Sequence, residues 1–131
     1  MGKKIMVVDD QVGIRFLLKE ILEREGYEVL LCANGKEALS VLHQHELSLV
    51  FLDMKIPGMD GLEILIQIRK YKPDLKVVVM TAYGELVTIR EAVELNVVGY
   101  FTKPFDIDDI RLFVNREIGE GANDGRELES E

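Results

Sequence analysis

Cysteine is almost missing from this chain: Cys32 is the single thiol among 131 residues, which excludes an internal disulfide and points to a reducing compartment. Its setting in the apolar run VLLCA marks it as a small core residue, not a reactive thiol. No Lys/Arg-rich tract or basic helix face offsets a formal net charge of -8, so direct binding to nucleic acid or an anionic membrane is disfavoured. No apolar stretch approaches the roughly 18 to 20 residues that span a bilayer, and no cleavage site follows the short apolar run in MGKKIMVVDD. The expected location is the cytoplasm.

What is present suits one folded domain, since 47% of the 131 residues are apolar. Runs rich in Val, Ile and Leu occur at IMVV (5–8), VLLC (29–32), LVFL (49–52), VVVM (77–80) and VGYF (98–101). Helical periodicity fills the gaps. Ile14, Leu17, Leu18, Ile21 and Leu22 predict a helix over 12–25 that stops at Gly26. Further helices are predicted over 36–45, 62–70 and 86–95, with Asp60 as the cap of the third, and a fifth opens after Pro104 with Asp106 as its N-cap.

Short apolar strands alternating with helices give (βα)5, and continuous apolar strands imply a parallel sheet covered on both faces. The fold class is α/β, a doubly wound five-stranded sheet, with the domain over 1–118. Residues 119–131 are Gly-rich and acidic and are read as a flexible tail. Right-handed crossovers bring all strand C-terminal ends to one edge, where ligands of such sheets bind.

That edge collects Asp9 and Asp10 after the first run, Asp53 after the third, Thr81 after the fourth and Lys103 with Pro104 after the fifth. Gathered carboxylates must take up a proton or bind a cation. Mg2+ fits, because it accepts one or two carboxylates and completes its shell with water and a phosphate oxygen. Either Asp9 or Asp10 alone would suit a helix cap, but the pair together with Asp53 favours a metal site. Lys103 supplies a compact cation for Asp53 or for phosphoryl oxygens, and Thr81 a hydroxyl donor. The chemistry these groups support is attack by a carboxylate on phosphorus, giving an acyl phosphate.

The motifs VVDDQ (7–11), LDMKIPGMDG (52–61), MTAYG (80–84) and YFTKPF (100–105) resemble the receiver domain of bacterial two-component response regulators over about residues 3–118. In detail they look most like single-domain receivers of the sporulation phosphorelay in endospore-forming bacteria. The resemblance implies strand order 2-1-3-4-5, a flavodoxin-like fold and a cis Lys103-Pro104 bond. It also implies Asp53 as phosphoacceptor, Mg2+ held by Asp9, Asp10, Asp53 and the Lys55 carbonyl, and phosphoryl contacts from Thr81 and Lys103. Tyr100 takes the place of an aromatic switch residue, where the sporulation receivers carry histidine. The absence of an effector domain suits an intermediate relay component.

The implied partners are a histidine kinase as donor and a four-helix-bundle histidine phosphotransferase as acceptor, with the chain itself a monomer. It would be no enzyme beyond its own phosphorylation and slow autodephosphorylation. Partner docking is expected at Gln11, Gly13, Ile14, Leu18, Pro57, Gly58, Tyr83, Gly84, Pro104, Phe105 and Asp106, with Leu17 and Ile21 assigned to the core and Ile14 and Leu18 to the exposed edge. His43 and His45, at i and i+2, face different sides of a helix and read as solvated. A receiver of another two-component pathway stays open as an alternative. A haloacid-dehalogenase-type phosphatase would need a second acid where Lys55 stands, and a flavodoxin-like FMN carrier is opposed by the two charges of DDQVG.

Overall fold

The computed structural model describes residues 2–56, 58, 60–82 and 92–119. In chain order the elements are β1 (Lys4–Val8), α1 (Val12–Arg24), β2 (Glu28–Cys32), α2 (Gly35–Gln44), β3 (Leu49–Asp53), α3 (Gly61–Tyr71), β4 (Lys76–Ala82), β5 (Gly99–Lys103) and α4 (Ile107–Ile118). The helix predicted over 86–95 falls mostly outside the described residues; Ala92 and Val93 are helical, and a turn carries the chain to Asn96 at φ 61°. The tail expected from 119 lies, Gly119 apart, outside them as well.

The five strands form one parallel sheet in the order β2-β1-β3-β4-β5. Alternate residues of each strand feed opposite cores, as a pleated strand with two covered faces must. Ile5, Val7, Phe51, Val78 and Met80 pack with α1 and α4, while Met6, Val8, Val50, Leu52, Val77 and Val79 pack with α2 and α3. Cys32 is buried in the second core.

Helix ends follow side-chain chemistry. Asp60 and Asp106 accept from the backbone N–H groups of Leu62 and Asp108 at 2.9 and 2.8 Å, and Asn34 accepts from that of Glu37 at 2.9 Å. Gly26 follows α1 at φ 95°, a left-handed conformation that suits glycine.

The assignment of faces on α1 needs correction. Leu18 is 0% exposed and belongs to the core, whereas Leu17 is 36% exposed. Ile14 is half-buried against the same core, so an exposed patch of Ile14 and Leu18 does not exist. At 100° per residue, Ile14, Leu18, Ile21 and Leu22 form one stripe toward the sheet, and Leu17 falls on its margin. The apolar side chains that α1 does present outward are Val12, Phe16 and Leu17, with Phe16 59% exposed.

Candidate functional site

Register brings the acidic and basic groups together. Val8 pairs with Leu52 and Asp53 with Met80, so the chain leaving β1 places Asp9 beside the end of β3. Asp53 and Lys103 are the last residues of β3 and β5, and Thr81 lies within β4. These ladders thus run one or two residues past the apolar runs that announce them, so the residues expected just after each run are held in sheet geometry.

Asp9 is fully buried, Asp53 is buried and Asp10 is exposed. The three can each offer a carboxylate oxygen with all of these within 4.8 Å of one another, the one such His/Cys/Asp/Glu group among the described residues. Neither Asp9 nor Asp10 caps α1: the N-cap position is Gln11, without a side-chain cap. Asp9 Oδ1 instead accepts from the Gln11 N–H at 2.9 Å, and the Asp9 carbonyl accepts from Arg15 at 2.8 Å. Arg15 escaped the sequence reading, although a long side chain on the first turn of α1 reaches back toward the helix N-terminus.

Lys103 Nζ donates to Asp53 Oδ2 at 3.2 Å and to Gln11 Oε1 at 3.3 Å. It also lies 2.8 Å from Asp9 Oδ2 as an ion pair, and this buried oxygen has no hydrogen-bond partner besides that cation. Thr81 Oγ1 is likewise buried without a partner. The Lys55 N–H donates to Asp53 Oδ1 at 3.0 Å. Burial raises the Asp53 carboxyl above its ordinary pKa, with the Asp9 charge adding to it, against the pull of the Lys55 N–H and Lys103. Burial disfavours the Lys103 ammonium, yet contact with Asp9 and the charge of Asp53 outweigh it and hold its pKa above the ordinary value.

Asp10, Gln11, Asp53, Lys55 and Lys103 line a cavity of about 310 Å³. A cavity of about 330 Å³ lies at the opposite end of the strands among Leu42, His45, Tyr71 and Leu75, so charge and not volume singles out the site. A dense set of oxygen ligands, one of them a buried carboxylate oxygen held by nothing but the Lys103 ammonium, fits a small hard cation. No second acid stands two residues after Asp53; Lys55 occupies that place, which removes the phosphatase alternative.

Of the other expected positions, Gly13, Gly58, Pro104 and Asp106 are exposed, and Phe105 is half-buried with its ring edge-on to Phe101 at 6.3 Å. Lys103-Pro104 is cis. Tyr100 is 53% exposed on β5. Pro57, Tyr83 and Gly84 lie outside the described residues. His43 is exposed and meets Tyr71 edge-on at 4.8 Å, while His45 Nδ1 lies 3.3 Å from Lys4 Nζ, and neither joins a group of three metal-ligating side chains among the described residues.

The pattern of the response regulator receiver domain matches residues 5–115. The chain belongs to that family. It is 51% identical over 118 residues to sporulation initiation phosphotransferase F of Bacillus subtilis, covering 90% of this chain and 95% of that protein. Among solved structures it resembles a CheY-like receiver domain protein of Methanospirillum hungatei, with TM-score 0.84, 31% identity and coverage of 88% and 93% of the two chains. It also resembles TrrA of Thermotoga maritima in complex with Mg2+-BeF, with TM-score 0.79, 39% identity and coverage of 88% and 99%. Among the described residues no helix is long and apolar enough to cross a membrane.

Proposed function

We propose that this receiver is a phosphoryl carrier in a sporulation phosphorelay, working in the cytoplasm, with Asp53 as the phosphoacceptor. One observation carries the reading: a buried carboxylate at the end of a central strand, with a lysine ammonium at 3.2 Å and a buried aspartate beside it. A carboxylate oxygen of Asp53 attacks phosphorus, the phosphorus–nitrogen bond of a donor phosphohistidine breaks, and the imidazole leaves with the bonding pair. The product is an acyl phosphate on Asp53. Lys103 neutralises charge on the phosphoryl oxygens, and the Thr81 hydroxyl donates to one of them.

Asp9, Asp10, Asp53 and the Lys55 carbonyl would hold Mg2+, which when bound offsets charge on the transferring phosphoryl group. The similarity to sporulation initiation phosphotransferase F supports onward transfer to a histidine phosphotransferase, and that to TrrA with Mg2+-BeF supports the metal. We assign the receiver to residues 1–118. Partner docking falls to the rim of the cavity and the N-terminal turns of α1, where Val12 and Leu17 take the place first given to Leu18.

The test is a transfer in two stages. The chain receives labelled phosphate from a phosphorylated histidine-kinase domain with Mg2+, and a histidine phosphotransferase is then added. The label is expected to pass through the receiver and reach the phosphotransferase; label that stays on the receiver contradicts the relay role.

A further inference from the structure

Gly61 begins α3 directly behind the phosphoacceptor, and its own N–H donates to the Met54 carbonyl at 3.2 Å. A Cβ on Gly61 would stand 2.4 Å from Met54 Cα, 2.7 Å from the Asp53 carbonyl oxygen and 2.9 Å from the Met54 carbonyl carbon. All three are backbone atoms, so no side-chain rotation relieves the overlap. The peptide that would move is the one joining Asp53 to Met54. The same stretch carries the Lys55 N–H that fixes Asp53 Oδ1, and the Met54 N–H is held to the Met80 carbonyl at 3.1 Å.

We infer that Gly61 is a positioning residue for phosphoryl acceptance: its missing side chain lets α3 close onto the Asp53–Met54 peptide and so sets where the acceptor carboxylate points. The inference rests on Asp53 being the phosphoacceptor. Opening the 2.4 Å contact to an ordinary one needs a shift of about 1 Å, and a misplacement of that size costs about 100-fold in rate. Asp60, by contrast, caps α3 through its side chain and could be replaced without entering this contact.

The experiment compares the full chain with Gly61→Ala, and with Gly99→Ala as a control whose added Cβ meets only the ring of Phe113, at 3.1 Å. Gly61→Ala is expected to stay folded, to shift the Lys55 amide resonance, to bind Mg2+ more weakly and to accept phosphate from acetyl phosphate about 100-fold more slowly at saturating donor. Gly99→Ala is expected to match the parent chain in all of these. The amide resonance and Mg2+ affinity are read without a phosphoryl donor, so they test the positioning even if Asp53 takes no phosphate. An unmoved Lys55 amide with unchanged Mg2+ affinity overturns the inference, as does a parent-like rate in Gly61→Ala. Global unfolding of Gly61→Ala overturns it too, because the displacement is then not local to the acceptor.

Discussion

Lys103 and Asp53, fifty residues apart in sequence, meet at 3.2 Å across the C-terminal edge of the sheet, with the fully buried Asp9 2.8 Å from the same ammonium. One cation thus serves two carboxylates.

Removing that cation leaves two desolvated anions facing each other. Lys103→Ala is expected to destabilise the metal-free protein by about 2 to 3 kcal/mol, below the 3 to 5 of a fully buried pair because Lys103 keeps 19% of its side chain exposed. Mg2+ is expected to restore part of the loss, since a ligand that binds only the folded state at 100 times its Kd adds about 2.7 kcal/mol. Urea unfolding with chelator and with Mg2+ measures both.

The raised pKa of Asp53 makes stability depend on pH. A carboxyl held above its unfolded value stabilises the fold fully while protonated, and that contribution is lost as pH rises through the folded value. Metal-free Asp53→Asn is therefore expected to melt above the parent chain at neutral pH. The gap should close as pH falls below about 4, the unfolded carboxylate range. Melting curves across pH in chelator check the sign.

The inverted pair on α1 separates stability from recognition. Leu18→Ala empties a fully buried site and is expected to cost about 2 to 5 kcal/mol. Leu17→Ala is expected to cost under about 1 kcal/mol and to weaken kinase or phosphotransferase binding. Denaturant midpoints paired with binding titrations would show the two effects on different residues.

This reversal marks where sequence patterns stop being informative. Strands were legible because two covered faces demand unbroken apolar runs, and Asp60 and Asp106 because short acids satisfy free N–H groups at helix starts. The acidic cluster followed from the edge that parallel crossovers create, whereas the strand order came only with the family resemblance. Leu17 and Leu18 are chemically identical, and the 100° helical period, which centres the stripe near Leu18 and leaves Leu17 on its margin, separates them where residue type does not. Gln11 acts on Asp9 through its backbone N–H, which leaves no trace in residue type, and Arg15 donates from its guanidinium to the Asp9 carbonyl, an acceptor that every residue carries. Tyr83 and Gly84 fall outside the described residues, so their place at the rim is still an expectation.

Cys32 offers a probe of opening. Burial raises its thiol pKa to about 12, with Glu37 adding to it against Arg15. Thiol reagents at mildly alkaline pH are expected to label the native protein only at the rate at which the core opens, and to label the unfolded chain at once. Fast labelling without unfolding would contradict the packing described for the second core.

The central claim is that Asp53 is the acceptor, and incubation with Mg2+ and acetyl phosphate followed by intact-mass measurement tests it most directly. The parent chain is expected to gain the mass of one phosphoryl group in a bond stable to acid and labile to base, and Asp53→Asn to gain none. Equal labelling of both chains, or a parent chain that takes phosphate from neither acetyl phosphate nor a phosphohistidine donor, would contradict it.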